Sequence, residues 1–155
     1  MAEPPLAVER EVIVDCVPER AFAVWTEGIH LWWPLAGHSI GGADAVRVAI
    51  EPGVGGRILE VGRDGQVSVW GTVLEWDPPD VLRHTWHLGA DPVRATEVEV
   101  RFAPHGDGRT RVALRHTGFE RFGADADRRR DGNARGWAAV TPSYGAFMGA
   151  ATPPG

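Results

Sequence analysis

The sequence predicts an α+β fold: a curved antiparallel sheet of about six to seven strands wrapped around one long C-terminal helix, with two short helices after the first strand. Three observations carry this. From residue 45 to residue 119, apolar and polar residues alternate with period two, in runs rich in Val, Thr and Trp. The runs are joined by short turn-like links, PGVGG, RDG, DPP, GADP and HGDG, which favour consecutive antiparallel neighbours. Near the C-terminal end Trp137, Val140, Tyr144, Phe147 and Met148 form an apolar stripe at helical spacing. A sheet with one apolar face and a helix with one apolar stripe bury both by packing together.

The elements follow in chain order. VEREVIVD, residues 8–15, alternates Val8, Arg10, Val12 and Val14 against Glu9, Glu11, Ile13 and Asp15, as a half-buried strand does. Pro18 suits the first turn of a helix and Glu19 its positive end, and Ala21, Phe22 and Trp25 fall on one face, so a short helix covers about 18–25. Gly28 interrupts it. A second short helix runs to LWWP, where Pro34 stops it because the residue before a proline avoids the helical region. Strands are expected at 45–51, 56–62, 66–77, 80–88, 94–104 and 110–119. The last helix carries Pro142 inside its apolar stripe, where a kink or a delayed hydrogen bond is expected. Residues 1–6 and 150–155 are rich in Pro and Gly and read as frayed tails of one domain spanning 1–155.

Composition narrows the function classes. The chain has 155 residues, enough for one core, with 43% hydrophobic and 24% charged residues. Its net charge is -5, and all 16 basic residues are Arg. The densest basic run, Arg128 to Arg130, is neutralised by Asp125, Asp127 and Asp131, so no basic face for nucleic acid is expected. Cys16 stands alone, so no internal disulfide forms. The N-terminal stretch MAEPPLAVER lacks the pattern of a secretory signal, and no apolar run approaches the roughly 20 residues that span a bilayer. These features read as a soluble cytoplasmic protein.

The element order and its punctuating residues resemble the START-like, or SRPBCC, superfamily with its helix-grip fold. Within it, the chain is similar to the branch named for the activator of heat-shock protein 90 ATPase. The matching stretches are AFAVWTEGIHLWWP, EPGVGGRILE, WGTVLEWDPPDVLRHTW, TEVEVRF, TRVALRHTGFE and GW at 136–137. The resemblance implies a cavity between sheet and helix. It implies no single activity, because the superfamily includes ligand carriers, cyclases and lipid-transfer domains. The co-chaperone activity behind the branch name resides in larger proteins with an added domain.

Alternation assigns side chains to that cavity. Leu82, His84 and Trp86 share a face of 80–88; Thr96, Val98, Val100 and Phe102 share one of 94–104; Val112, Leu114 and His116 share one of 110–119; Val46, Val48 and Ile50 share one of 45–51. In 66–77 both faces are apolar: Trp70, Thr72, Leu74 and Trp76 on one, Val69, Gly71 and Val73 on the other. Trp137 and Tyr144 would close the roof, and Trp32, Trp33 and His38 would sit at one end. Neighbouring helical positions point about 100° apart, so one of Trp32 and Trp33 plugs the core and the other lines the rim, or both only pack.

The candidate ligand-binding residues are therefore Trp32, Trp33, His38, Trp70, Trp86, Thr96, Val98, Leu114, Trp137 and Tyr144. The candidate catalytic residues are His84 and His116, facing each other across the cavity, and Glu60, provided that 56–62 turns Ile58 and Glu60 inward and not Leu59 and Val61. Each histidine has an alternative role as a core residue satisfied by a neighbouring hydroxyl or backbone group. An inward carboxylate is an acid–base candidate. No short H-x-H or H-x-x-x-H pair occurs, so no metal and no cofactor are expected. Cys16, Ser68 and Ser143 lack the surroundings of a nucleophile, and GVGGR at 53–57 precedes a strand and not a helix, so it is a turn and not a phosphate cradle.

Three functions fit. The first is binding of a small apolar or aromatic molecule in the cavity. The second is an acid–base enzyme, a cyclase, dehydratase or hydrolase of a polyketide-like substrate, using the same cavity. The third is a co-chaperone-like or regulatory module that uses the outer sheet surface, and it predicts an exposed apolar patch and a filled cavity. Edge strands of such a sheet could pair in a homodimer.

Overall fold

The computed structural model describes residues 6–88 and 90–149. The expected frayed tails lie outside these residues, except Leu6, which packs half-buried against the core. Strand β1 (Val8–Val14) leads into helix α1 (Pro18–Thr26) and a 3-10 turn, Ile29–Leu31. Strands β2 (Ala45–Ile50), β3 (Arg57–Gly62), β4 (Val67–Asp77), β5 (Val81–Trp86), β6 (Thr96–Pro104) and β7 (Thr110–Thr117) follow. A 3-10 stretch, Phe119–Asp125, then precedes helix α2 (Ala126–Phe147). All seven strands form one antiparallel sheet in the order β1-β7-β6-β5-β4-β3-β2. The sheet curls around α2, which makes this an α+β helix-grip fold.

The inner face is apolar and the outer face is charged. Leu82, Val98, Val100, Phe102, Val112 and Leu114 are buried inside. Outside, Arg83 pairs with Glu75 and Glu97, Arg101 with Glu99, Arg111 with Glu11 and Arg115 with Glu9. Alternation along β5, β6 and β7 thus places side chains as period two requires. Helix α1 starts with Pro18 in its first turn and buries Ala21, Phe22, Val24 and Trp25. Phe22 meets Phe102 and Trp76 edge-on, each at 5.2 Å between ring centres.

Four expectations need correction. The second short helix is one 3-10 turn, because only five residues separate Gly28 from Pro34 and so short a stretch cannot propagate an α-helix. Strand β4 does not present Trp70, Thr72, Leu74 and Trp76 on a single face. Ile58 pairs with Gly71 but Leu59 with Val69, and Val73 pairs with His84 but Glu75 with Arg83. Trp70 and Leu74 are thus the extra residues of two bulges, and each bulge shifts the alternation by one. Trp70 and Val73 are consequently both buried, and Trp76 packs half-buried on the core. Val46 is exposed, because the β2–β3 register shifts between Ala45 and Arg47. Phe147 is exposed at the last residue of α2.

Strands 80–88, 94–104 and 110–119 are shorter than expected; Pro92–Arg94 forms a 3-10 turn instead. Helix α2 carries Pro142 and continues to Phe147. Its Tyr144 is fully buried and donates its hydroxyl to the Ala21 carbonyl at 2.9 Å, tying α2 to α1. Tyr144→Phe is expected to lower stability by about 1 kcal/mol, because it removes a buried hydrogen bond that adds to the helical bond the Ala21 carbonyl already accepts. Thermal unfolding of the pair would measure it.

Candidate functional site

The adjacent tryptophans stand just past the Ile29–Leu31 turn and point to different sides. Trp32 turns into the core against Trp25 and Tyr144, at 4.8 and 5.0 Å, and its indole N–H donates to the Val24 carbonyl. Trp33 turns toward the sheet. It meets Trp70 at 5.3 Å, Trp137 at 5.9 Å and Trp86 at 6.0 Å, and its N–H donates to the His38 carbonyl at 2.8 Å. Trp86 and Trp137 are 5.2 Å apart. Four indoles from three parts of the chain therefore pack as one array between sheet and α2.

These rings occupy most of the expected cavity. What remains beside them is a crevice of about 60 Å³ bounded by Trp33, His38, Trp86, Leu88, Asn133, Gly136, Trp137 and Val140. Of the sequence candidates, Trp33, His38, Trp86 and Trp137 meet there. Trp70 lies behind Trp33, and Val98 and Leu114 lie buried in the sheet. Trp32 and Tyr144 belong to the core under α1. Leu88, Asn133, Gly136 and Val140 were not singled out. Asn133 and Val140 stand four before and three after Trp137, a helical spacing that could have found them, whereas Gly136, one before it, fits no such spacing.

His116 is the centre of a directed chain. The Trp137 indole N–H donates to His116 Nδ1 at 2.9 Å. Nδ1 is thus an acceptor, so the proton sits on Nε2, which lies 2.5 Å from the Thr96 hydroxyl. That hydroxyl donates onward to the Trp86 carbonyl at 3.1 Å. Both ring nitrogens are engaged with the ring neutral, and burial, with His84 nearby, lowers the His116 pKa to about 3.

His84 is buried beside Trp86, with ring centres 5.8 Å apart. Its Nδ1 lies 2.8 Å from the Thr85 carbonyl, which can only accept, so Nδ1 carries the proton. Nε2 has no hydrogen-bond partner among the described residues. Burial lowers the His84 pKa to about 4. The two histidines do not face each other across a cavity. They lie in one row with Val98 between them, on three neighbouring strands, roughly 10 Å apart along the sheet.

Glu60 turns inward on β3 and is 2% exposed. Its Oε1 accepts from the Ile40 amide at 2.6 Å and the Trp70 indole at 2.7 Å, and its Oε2 accepts from the Gly41 amide at 2.9 Å. No His lies among its hydrogen-bond partners, so Glu60 and the histidines do not form one acid–base cluster. Cys16 is half-buried, and burial pushes its thiol up, away from nucleophilic use. Among the described residues no group of three or more His, Cys, Asp and Glu is arranged to hold a metal ion, and no helix is long and apolar enough to cross a membrane.

Residues 15–142 match the protein family described as Activator of Hsp90 ATPase homolog 1-like protein. Among solved structures, an anthrahydroquino-gamma-pyrone synthase is 40% identical over 81% of this chain and 85% of its own, with a TM-score of 0.57. The self-sacrificing resistance protein CalC from Micromonospora echinospora is 27% identical over 93% of this chain and 94% of its own, with a TM-score of 0.66. An HSP90 activator from Plasmodium falciparum, 18% identical over 94% and 97% with a TM-score of 0.65, shares the fold. No curated protein matches the chain significantly in sequence.

Proposed function

The chain belongs to the Activator of Hsp90 ATPase homolog 1-like family, and from that premise we propose that it binds a small, flat aromatic molecule of the polyketide type between the sheet and α2. The observation that carries the reading is the array of Trp33, Trp86 and Trp137 around the crevice, with His38 and Asn133 as sparse polar groups at its rim. Stacking indoles offer large, rigid faces to a planar ligand. The 40% identity to an anthrahydroquino-gamma-pyrone synthase weighs on the same side. The crevice of about 60 Å³ is far below the roughly 300 Å³ of a small-molecule site, so ligand uptake requires the rings to part.

Seven Trp make fluorescence the natural readout. Titration with a hydroxylated anthraquinone is expected to quench the emission at one-to-one stoichiometry, with native mass spectrometry showing the complex. Trp33→Ala is expected to weaken binding by about tenfold or more, the loss of one stacked aromatic contact. Val54→Ala, at an exposed position 16 residues or more from every crevice residue in the sequence, should leave it unchanged. Absence of quenching and of any adduct across a panel of aromatic compounds would overturn the reading.

A second reading, an acid–base enzyme on the same cavity, is favoured by one observation: His84 keeps a free lone pair at Nε2 and is neutral near pH 7. It predicts that His84→Ala keeps binding and loses turnover. The regulatory-module reading called for an exposed apolar patch and a filled cavity: the ion pairs of Arg83, Arg101, Arg111 and Arg115 cover the outer sheet face and weigh against the first, while the small crevice fits the second.

A further inference from the structure

The stretch from Pro34 to Asp44 runs between the crevice and an open depression of about 550 Å³. His38 belongs to the rim of the first; Ile40, Gly41 and Asp44 belong to the wall of the second. Within this stretch most hydrogen bonds are local: Ser39 to Leu35, Gly42 to Ser39 and Asp44 to Gly41. Its end is held by Arg63, whose backbone amide donates to the Asp44 carbonyl and whose guanidinium reaches the Ala43 carbonyl, and its middle is tied to the rest of the chain at two places. One is the Trp33 indole on the His38 carbonyl. The other is Glu60, whose two carboxylate oxygens take the consecutive amides of Ile40 and Gly41.

Glu60 also accepts from Trp70, which packs tilted against Trp33 and edge-on against Trp86. One side chain therefore touches the loop over the crevice and the ring array beneath it. Gly41 makes the fit close: a Cβ there would lie 3.2 Å from Glu60 Oε2 and 3.3 Å from the Ala45 nitrogen. Among the described residues Glu60 forms no ion pair; a buried carboxylate of this kind is costly unless its acceptors are filled, and here backbone amides and an indole fill them.

We infer that Glu60 is the clasp that holds the Pro34–Asp44 loop shut over the tryptophan array, and that releasing it opens the array to small molecules. This deepens the small-molecule reading by assigning Glu60 to access and not to acid–base chemistry. When the loop lifts, the His38 tie draws on Trp33, and the crevice and the depression become one space floored by Glu60 and Trp70. A planar ligand needs such a space.

The test uses Glu60→Gln. The amide keeps the size of the side chain, but its NH2 group confronts an N–H, so one arm of the clasp is lost. Amide hydrogen exchange at Ile40 and Gly41 is expected to accelerate about 10- to 100-fold, the loss of a bond to a charged acceptor, while Val98 and Val100 stay protected. Acrylamide, a small neutral quencher, is expected to reach the Trp emission more readily in the variant. Unchanged exchange at Ile40 and Gly41, or faster exchange without added quenching, would overturn the clasp. Should the variant fail to fold, the wild-type chain decides: Ile40 and Gly41 must exchange as slowly as sheet amides, and exchange at open-loop rates would overturn the proposal. Acrylamide needs no natural ligand. A variant that opens to acrylamide, with no aromatic compound bound by either form, supports the clasp and counts against the function proposed above.

Discussion

Gly71→Ala is expected to cost about 3–5 kcal/mol, a large part of the stability of an ordinary domain. A Cβ at this position would lie 1.9 Å from the Thr85 carbonyl oxygen and 2.8 Å from its carbon. Both are backbone atoms of the neighbouring strand β5, so no rotamer change relieves the overlap. The strands would have to separate, and other contacts depend on their approach. The Thr85 hydroxyl accepts from the Thr72 amide at 2.8 Å, and the Thr85 carbonyl accepts from His84 at 2.8 Å. Gly71 follows Trp70, the extra residue of the first β4 bulge, and its backbone dihedral is not in the left-handed region, so proximity and not conformation demands glycine. Urea denaturation measures the effect as a lower midpoint at unchanged slope. A midpoint within about 0.5 kcal/mol of wild type would mean that the β4–β5 contact gives way freely.

Acid is expected to unfold the protein early. His84 and His116 are buried and neutral, with pKa values lowered to about 4 and about 3. In the unfolded chain a histidine titrates near pH 6.5, so below that value the unfolded state binds more protons than the folded one. Stability is therefore fully present above about pH 6.5 and is lost as the pH falls toward the folded values. Between about pH 6.5 and 4, each histidine withdraws about 3 kcal/mol. Together they approach the whole stability of a small domain. Urea midpoints from about pH 7.5 down to about 4.5 test this, and His84→Gln should flatten the profile by about half. A flat wild-type profile across that window would mean that the folded chain takes up these protons readily.

Much of the architecture was legible because β5, β6 and β7 alternate cleanly: one face of each carries charges, so period two has one solution. Strand β4 was not legible in this way. Both of its faces are apolar, and the bulges at Trp70 and Leu74 place Trp70, Val73 and Trp76 inward at intervals of three. That interval belongs to neither face of a regular strand. Glu60 could be placed inward only conditionally, because Ile58, Leu59 and Glu60 are all buried. Its partners Ile40 and Gly41 offer backbone amides, which no residue pattern announces. The Trp32–Trp33 pair split as expected, one toward the core and one toward the crevice, although both follow the 3-10 turn and neither stands on a helix. His84 and His116 were correctly turned inward, but the order of strands puts them side by side. The expected open cavity was drawn from the fold; the volumes of four indoles decide how much of it remains.

The strand order has a consequence for how the protein is made. β1 leaves the ribosome before the other six strands, and its sheet partner is β7, with Glu9 and Arg115 in register 106 positions apart. At translation rates of about 5–20 residues per second, β1 waits on the order of 5–20 seconds for its neighbour. During that interval Val8, Val12 and Val14 form an apolar strand with open edges, the kind of segment that pairs with the wrong chain. Strands β2 to β6 can meanwhile assemble by short turns, so the nascent sheet grows from its β2 edge and closes last where β7 and β1 pair. Slow emergence and chaperone shielding of β1 would therefore matter more to yield than the stability of the finished core.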